Sequence, residues 1–209
     1  MIIKDISFAE AEKNISYDRA LLESAESGAS GEALRFWEAR EFFIVLGRIS
    51  EARRDIKIEN AKQDAIETVR RISGGGTVLQ GPGCLNYSLV ISYGRNPLLK
   101  NIKKSYEIIL NRICAALGRL NVRAAFEPVS DMALGGKKFS GNAQARKRKY
   151  MLHHGTLLYN FPMEKIERYL TIPKEQPPYR RNRAHRHFLT NIDADPRRIR
   201  REIAAAWGT

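Results

Sequence analysis

The chain has 209 residues, of which 43% are hydrophobic and 28% charged, and its formal net charge is +13. This length suits one domain, or one domain with a small appendage. It shows no apolar run of membrane-spanning length and no secretion signal, and Cys84 and Cys114 are its only cysteines, so we expect a cytoplasmic protein with free thiols. The positive charge favours an anionic partner (nucleic acid, a nucleotide or an acidic protein surface) without choosing among them.

The local patterns predict strands that cluster instead of alternating strictly with helices. In chain order, the predicted elements are strand 2–8, helix 10–28, strands 34–37 and 42–46 around a charged turn, helix 57–66, strands 68–72 and 86–93, helix 101–120, strands 123–127, 132–140 and 150–160, helix 164–170, a Pro-rich loop 173–179 and helix 195–207. This order indicates an α+β fold with a mixed or antiparallel sheet.

The segment 70–77, RRISGGGT, is the first candidate for a functional site. Consecutive glycines are unfavourable inside a strand, and are typical of places where the backbone approaches a ligand or presents N–H groups to an anion. Arg70 and Arg71 could add charge-assisted contacts to phosphate. A bulge or turn without a ligand is the alternative. No Gly-Lys-Ser/Thr follows, so this is not a P-loop, and contiguous glycines with no helix after them do not form a dinucleotide fingerprint.

A second candidate begins at Gly135-Gly136, which predicts a hairpin turn. Lys138 follows the turn, and the segment 140–143, SGNA, offers a small polar surface that a ligand can approach closely. A lysine on a strand beside small residues can reach a bound ligand as a point charge. A surface lysine in a hairpin is the alternative.

His153 and His154 are neighbours in a predicted strand and must face opposite sides of it. They therefore cannot bind one metal ion from the same face, and core or hydrogen-bonding histidines are the favoured interpretation. Neither a Gly-x-Ser-x-Gly elbow nor an evident Cys-His arrangement supports nucleophilic hydrolysis. The basic runs 146–149 and 180–183 are interpreted as solvated faces, because few aromatic residues flank them.

Together, these stretches resemble the lipoate–protein ligase family, within the larger group of biotin and lipoate protein ligases. The motifs that carry the resemblance are Trp37 followed by FIVLGR at 43–48, RRxSGGGxV at 70–78, KxSGxA at 138–143 and HHGTLL at 153–158. The resemblance implies an α+β fold with a central mixed, largely antiparallel sheet flanked by helices. It also implies activation of lipoate with MgATP to lipoyl-adenylate, and transfer of the lipoyl group to a lysine of an acceptor protein.

The resemblance also assigns residues and partners. It makes Lys138 the catalytic residue, with ATP and Mg²⁺ as cofactors, lipoate as substrate and no residue assigned to a metal. The implied acceptor is a lipoyl-domain protein of the dehydrogenase E2 or glycine-cleavage H protein type, and neither a membrane nor nucleic acid is expected as a partner. The implied ATP and adenylate contacts are Arg71, Gly75, Gly76, Thr77, Val78, Leu79 and Lys138, and the implied lipoyl pocket is Trp37, Ser73, Ser140, Gly141, Ala143, His154 and Gly155.

The sequence departs from the ligase pattern after the glycines. Gln80-Gly81 stands where many ligases of the family have His-Asp, and the run QGPG at 80–83 resembles the HGPG of octanoyltransferases. Those enzymes carry the acyl group on a cysteine at positions where this chain has none, which favours the ligase. Octanoyl transfer from acyl-carrier protein is the alternative, with Cys84 as an unusual acyl carrier, and a nucleic-acid-binding module is a remote third hypothesis.

We expect residues 1–172 to form the catalytic acyl-adenylate-forming domain, and residues 173–209 to form a basic tail with a short helix. Ligases of the family often have a further C-terminal domain that closes over the adenylate. Here the tail, or a separate accessory ligase subunit, is expected to provide closure. Arg180, Arg183 and His185 are candidates for contacts to ATP phosphates, although a surface role is favoured for them.

Overall fold

The computed structural model describes residues 1–208. Its strands are β1 (Ile2–Asp5), β2 (Ala33–Trp37), β3 (Phe43–Leu46), β4 (Glu67–Arg70), β5 (Val78–Gln80), β6 (Cys84–Ser92), β7 (Ala125–Glu127), β8 (Asp131–Leu134), β9 (Lys137–Arg146) and β10 (Tyr150–Leu158). In this part of the chain, seven strands form a central sheet in the order β1-β2-β6-β10-β9-β8-β7, and three form a small sheet in the order β4-β3-β5. The pairs β1–β2 and β3–β4 are parallel, and the other neighbours are antiparallel.

Helices flank both sheets. The α-helices are α1 (Ala11–Ser27), α2 (Ala52–Asp55), α3 (Ile58–Gln63), α4 (Ile102–Gly118), α5 (Met163–Tyr169), α6 (His185–Phe188) and α7 (Pro196–Ala206), with 3₁₀ turns at Pro97–Lys100 and Pro178–Arg180. None of the helices within residues 1–208 is both long and apolar enough to cross a membrane.

The first core lies between one face of the central sheet and the pair α4 and α7. The Asn101 side chain caps α4 by accepting a hydrogen bond from Lys104 N at 3.0 Å, and the Asp195 carboxylate caps α7 by accepting from Arg197 N at 2.8 Å. Both helices turn apolar residues toward the sheet. Buried members of this core include Leu89, Ile91, Ile109, Ile113, Leu117, Ile199 and Ile203.

The opposite face of the central sheet packs against α1 and the small sheet. Alternation along β6 decides which core a residue enters: Leu89 and Ile91 belong to the first core, and Val90 packs with Leu22 of α1. Residues 71–77, the glycine loop, connect β4 to β5 and reach β9, since a β-carbon on Gly75 would lie 3.9 Å from that of Ala143.

The predicted α+β class, with a mixed and mostly antiparallel sheet, is confirmed. The single strand predicted at 132–140 is wrong, because Gly135 and Gly136 adopt φ values of 57° and 72° and close a hairpin between β8 and β9. The strand predicted at 2–8 ends at Asp5. The strands flanking the charged turn exist as β2 and β3 but lie in different sheets. The patterns missed α2, β5 and α6, which are too short to show a periodicity.

The segment after residue 172 packs on the rest of the molecule. Ile192, Ile199, Ile203 and Trp207 are buried in the first core. The surface role favoured for two tail residues is wrong, since Arg180 is 4% and His185 is 8% exposed. Arg180 is held because its guanidinium stacks 4.7 Å from the ring centroid of Phe188. The boundary at residue 172 stays a prediction.

Candidate active site

Arg71 organises the glycine loop from inside. Its guanidinium donates to the carbonyl oxygens of Gly74 at 2.7 Å and Gly76 at 2.8 Å, and its Nε donates to Ser73 Oγ at 3.0 Å. The side chain is buried, and this burial lowers the pKa of the guanidinium to about 10. Arg71 therefore holds the loop backbone in place, and its predicted contact with ATP stays a prediction.

The loop glycines keep their N–H groups available. Within residues 1–208, no backbone carbonyl accepts a hydrogen bond from the N–H of Gly74, Gly75 or Gly76. Gly75 has a φ of 84°, a conformation that glycine adopts without strain. Side chains added at Gly74 or Gly76 would meet nothing within 4 Å, so the loop is open there. Backbone N–H groups exposed in a loop of this kind can bind an anion.

Gly47 and Arg70 support the loop from the end of β3. Arg70 Nη1 donates to the carbonyl oxygens of Gly47 at 2.6 Å, Ser50 at 2.9 Å and Arg48 at 3.2 Å. A β-carbon on Gly47 would overlap the carbonyl oxygen of Gly75, so only glycine fits at residue 47. The loop is thus seated directly on the backbone of the small sheet.

Buried polar groups connect the loop to the central sheet and to α1. His154 in β10 lies with Nε2 2.6 Å from Ser73 Oγ and with Nδ1 3.4 Å from Asp18 Oδ2. Asp18 also accepts a hydrogen bond from Ser88 Oγ at 2.5 Å and pairs with Arg35 at 2.7 Å. Burial acts to raise the pKa of Asp18, but the hydrogen bond to His154 and the charge of Arg35 outweigh it and hold that pKa below 3.8. Sequence patterns missed Asp18 and Arg35, whose partners are distant along the chain.

Lys138, the predicted catalytic residue, extends over Gly141 toward Asp131. Its Nζ lies 2.7 Å from Asp131 Oδ1, and its side chain is 28% exposed. A β-carbon on Gly141 would lie 2.9 Å from Nζ and 3.0 Å from Cε of Lys138, too close for an undisturbed side chain. A shift in the pairing of β8 with β9, between Met132 and Ala133, places Asp131 opposite Gly141. Gly141 therefore leaves the space in which the lysine reaches the carboxylate.

The adjoining part of β9 and β10 is rigidly packed. Asn142 and Gly155 are paired across the strands, and a β-carbon on Gly155 would overlap the Asn142 amide oxygen. The Tyr87 hydroxyl donates to that oxygen and lies 3.2 Å from His153 Nε2. Burial, with a smaller contribution from the neighbouring His154, lowers the pKa of His153 to about 3, so its ring is neutral at pH 7. The two histidines face opposite sides of the sheet, as the sequence predicts.

Four other predicted residues are partly or fully buried. The Thr77 hydroxyl donates to Asp55 Oδ2 at 2.8 Å. Leu79 is 5% exposed, and Val78 precedes it in β5, so a nucleotide could meet this pair mainly through their backbone. Trp37 is 2% exposed in the apolar cluster between α1 and the small sheet, and its indole Nε1 has no hydrogen-bond partner within residues 1–208.

The structure brings most of the predicted pocket residues together along β9 and β10, beneath the glycine loop. Ser140 is buried and accepts a hydrogen bond from the Asn142 amide at 3.1 Å. Ala143, also buried, lies under Gly75. The arrangement combines loop N–H groups, one ammonium group and a buried polar wall, and can bind a ligand that carries negative charge next to a less polar part.

A cleft of about 680 Å³ opens beside the loop, between α1 and the end of β9. Its cationic lining consists of Arg19, Arg48, Arg70, Arg71, Arg146 and Lys147. The interpretation of residues 146–149 as a solvated face holds for residues 147–149, which are exposed. The interpretation is wrong for Arg146, which is partly buried. Its guanidinium donates to Gln144 of β9 at 2.6 Å and to the carbonyl oxygen of Lys100, and so bridges β9 and the 3₁₀ turn at Pro97–Lys100.

Cys84 is fully buried, whereas Cys114 is partly exposed. Cys84 is fully buried in β6, and that burial raises the pKa of its thiol. Burial also raises the pKa of Cys114, in α4, to about 11. Within residues 1–208, no three His, Cys, Asp or Glu side chains are grouped so as to hold a metal ion.

Comparison with solved structures supports the fold. A lipoate-protein ligase A bound with ATP superposes with a TM-score of 0.85 over 99% of this chain and 83% of that one, at 20% identity. The bipartite lipoate protein ligase of Thermoplasma acidophilum, solved in a study that includes its E2 lipoyl domain, superposes with a TM-score of 0.84 over 99% of this chain and 81% of that one, also at 20% identity.

Sequence comparison reaches closer relatives. An Aeropyrum pernix protein of the lipoate-protein ligase A type is 33% identical over 189 residues, which are 90% of this chain and 66% of that protein. The octanoyltransferase LipM of Oceanobacillus iheyensis is 28% identical over 202 residues, covering 89% of this chain and 74% of its own length. The chain thus spans slightly less than two thirds of the Aeropyrum relative. Residues 10–201 match the model of the lipoyl protein ligase A/B catalytic domain, so the chain belongs to that family.

Proposed function

We propose that this chain is an ATP-dependent lipoate–protein ligase. It activates lipoate with MgATP to lipoyl-adenylate and transfers the lipoyl group to a lysine of a lipoyl-domain protein. The observation that carries the proposal is the meeting of an anion-binding glycine loop with the strand that bears Lys138: Gly75 lies over Ala143, five residues along β9 from the lysine.

Different residues serve different roles in the first step, the formation of the acyl-adenylate. Formation of the acyl-adenylate places negative charge on a phosphate, and the glycine N–H groups together with the Lys138 ammonium stabilise it without reorganisation. The lipoyl chain lies along the wall formed by Ser73, Ala143 and His154, where little water reaches the reactive anhydride. The nucleotide binds next to the end of the glycine loop, where it contacts Thr77, Val78 and Leu79.

Magnesium fits this proposal as an ion that arrives with the nucleotide. Mg²⁺ keeps several waters and is bound mainly by substrate phosphates with one or two carboxylates, so it needs no cage made of protein alone. The ion would neutralise charge on the phosphates. A related lipoate-protein ligase A was solved bound with ATP, which supports nucleotide binding here.

The burial of Cys84 favours the ligase over the octanoyltransferase. Transfer through a thioester requires a reactive thiolate, and the Cys84 thiol is buried with a raised pKa. Octanoyl transfer from acyl-carrier protein remains the second candidate. It is supported by the Oceanobacillus relative and by the QGPG run at 80–83.

The acceptor we propose is a lipoyl domain of the E2 or H protein type. A structural study of a related bipartite ligase includes its E2 lipoyl domain, which supports this class of partner. We place the catalytic domain at residues 1–172 and assign closure over the adenylate to the tail that follows, or to an accessory subunit. The reaction is expected to take place in the cytoplasm.

The proposal is tested by mass spectrometry of a lipoyl domain after incubation with the chain, MgATP and a mixture of lipoate, octanoate and biotin. An ATP-dependent mass increase equal to a lipoyl group is expected. Octanoylation without ATP from octanoyl-carrier protein would identify the transferase instead. Lys138→Ala should abolish modification, with Lys103→Ala, an exposed lysine of α4, as the matched control.

Cys84→Ser separates the two chemistries further. The ligase should keep its activity in this variant, because the thiol has no part in adenylate chemistry. Loss of ATP-free octanoyl transfer in a variant that still folds would establish a Cys84 thioester and contradict the ligase.

A further inference from the structure

The tail crosses the hairpin that carries Lys138. We define the strap as residues 178–190. Thr190 N donates to the carbonyl oxygen of Lys138 at 2.9 Å, and Leu189 forms a parallel bridge with the same residue. In the turn of the hairpin, two residues before Lys138, Gly136 O accepts a hydrogen bond from the Arg183 guanidinium at 2.9 Å. The strap is thus bonded to β9 at the lysine and to the turn before it.

Tyr179 of the strap reaches the ion pair of Lys138. Its hydroxyl donates to Asp131 Oδ2 at 2.9 Å, while Asp131 Oδ1 lies 2.7 Å from Lys138 Nζ. Asp131 is 5% exposed, so little water competes for either oxygen. Each oxygen of the Asp131 carboxylate therefore has one partner. The Tyr179 hydroxyl fixes the orientation of the carboxylate, and the Lys138 ammonium forms an ion pair with it.

The tyrosine is itself held from two directions. Its ring centroid lies 5.1 Å from that of Phe188, and its carbonyl oxygen accepts a hydrogen bond from Arg183 at 2.8 Å. Arg183 also stacks on Phe188, 5.3 Å from its ring centroid. Burial raises the pKa of Tyr179, and the nearby Asp131 carboxylate acts in the same direction, so the phenol keeps its proton and stays a donor.

We propose that Asp131 and Tyr179 are positioning residues for Lys138. The Tyr179 hydroxyl orients the Asp131 carboxylate, and the carboxylate holds the Lys138 ammonium in place. A lysine has four rotatable side-chain bonds, so a free Lys138 would occupy many positions. The carboxylate restricts it to one, and Gly141 provides the space for that conformation. A displacement of an ammonium by about 1 Å can reduce the rate of a reaction that depends on it by up to about 10²-fold. The inference rests on the proposed role of Lys138.

The test compares Tyr179→Phe, which removes only the hydroxyl, with Tyr159→Phe, which removes a similar tyrosine–carboxylate hydrogen bond to Glu38. Acyl transfer is followed with lipoate and MgATP, and kcat and KM for lipoate are measured separately. We expect kcat of Tyr179→Phe to fall about tenfold with little change in KM, because the lysine is displaced and the acyl pocket is not. Tyr159→Phe should keep both values.

A second readout does not depend on activity. The rate at which an amine-reactive acetylating reagent labels Lys138 is followed by peptide mass spectrometry in the folded protein. We expect faster labelling in Tyr179→Phe and still faster labelling in Asp131→Asn, because each change releases the amine. If Tyr179→Phe does not fold, Asp131→Asn carries the same comparison.

Unchanged kcat and unchanged labelling in Tyr179→Phe would overturn the inference. Failure of the proposed function looks different: wild-type protein would then transfer octanoyl groups without ATP. The labelling comparison would still decide the positioning role, because it requires no substrate.

Discussion

Ser73 of the glycine loop and His154 of β10 are joined by a hydrogen bond of 2.6 Å between Oγ and Nε2. The same hydroxyl oxygen accepts a hydrogen bond from Arg71 Nε at 3.0 Å, and the other side of the imidazole faces Asp18. The loop is therefore fastened to the central sheet through one serine. This bond sets how far the loop N–H groups lie from the wall of the pocket.

Ser73→Ala should loosen the glycine loop and destabilise the protein. The change leaves Arg71 Nε buried without a partner and removes the partner of the partly buried His154 Nε2, at a cost of about 1–3 kcal/mol. Urea unfolding measures the loss, and limited trypsin digestion at Arg70 and Arg71 reports loosening of the loop. Ser16→Ala, at an exposed position in α1, is the control and should change neither quantity. Identical digestion patterns in the wild type and Ser73→Ala would contradict the fastening role.

Gly47→Ala should disturb the loop through direct overlap. The new methyl group would meet the backbone oxygen of Gly75, which cannot rotate away, so the loop must move. We expect a loss of about 1–3 kcal/mol in stability, as for overpacked sites in general. KM for the acyl substrate should rise as well, as steady-state kinetics would show. A variant with wild-type stability and KM would refute the close seating of the loop.

Gly141→Ala should lower the activity while leaving the stability of the protein nearly unchanged. The added methyl group would lie 2.9 Å from Lys138 Nζ, the end of a flexible side chain that can move at little cost to the fold. The free energy of unfolding should change by less than about 1 kcal/mol. The ammonium is displaced, so kcat should fall by about 10- to 100-fold.

The control for this variant is Gly118→Ala at the end of α4, where an added methyl group meets nothing within 4 Å. It should keep full activity, and its free energy of unfolding should be slightly higher than that of the wild type, because alanine is more favourable than glycine in a helix. Full activity in Gly141→Ala as well would show that the space beside Lys138 is unimportant.

His153 should make the protein less stable as the pH falls. Its pKa is about 3 in the folded state and 6.5 ordinarily, so the unfolded chain binds the proton first. Its stabilisation is complete above pH 6.5 and is lost as the pH falls from 6.5 toward 3, by about 1.4 kcal/mol per pH unit. His153→Gln should remove this part of the slope of unfolding free energy against pH, measured by urea unfolding.

The exposed His187 is the matched control, because its replacement by glutamine should leave the slope as in the wild type. Equal slopes for His153→Gln and the wild type would mean that the buried ring binds a proton without loss of stability.

Much of the candidate site can be recognised in the sequence. The glycine loop, Lys138 and the His153-His154 pair stand out because each is a short local pattern, and strand alternation already assigns the two histidines to opposite faces. The long helices are predictable for the same reason, since α4 repeats its apolar residues with helical spacing. The resemblance to the ligase family likewise follows from the order and spacing of these patterns.

Tertiary structure decides which groups meet. Asp18 and His154 are 136 residues apart, and Tyr179 and Asp131 are 48 apart. No local pattern signals these pairs, because α1 and the strap are placed by the burial of Leu22 and Phe188, whose packing says nothing about their polar neighbours. Arg71 is a further example, because its place beside three glycines suggests a contact with phosphate. In the folded chain, its guanidinium instead donates to carbonyl oxygens of its own loop. A buried guanidinium must find acceptors for its N–H groups, and these oxygens are the nearest ones.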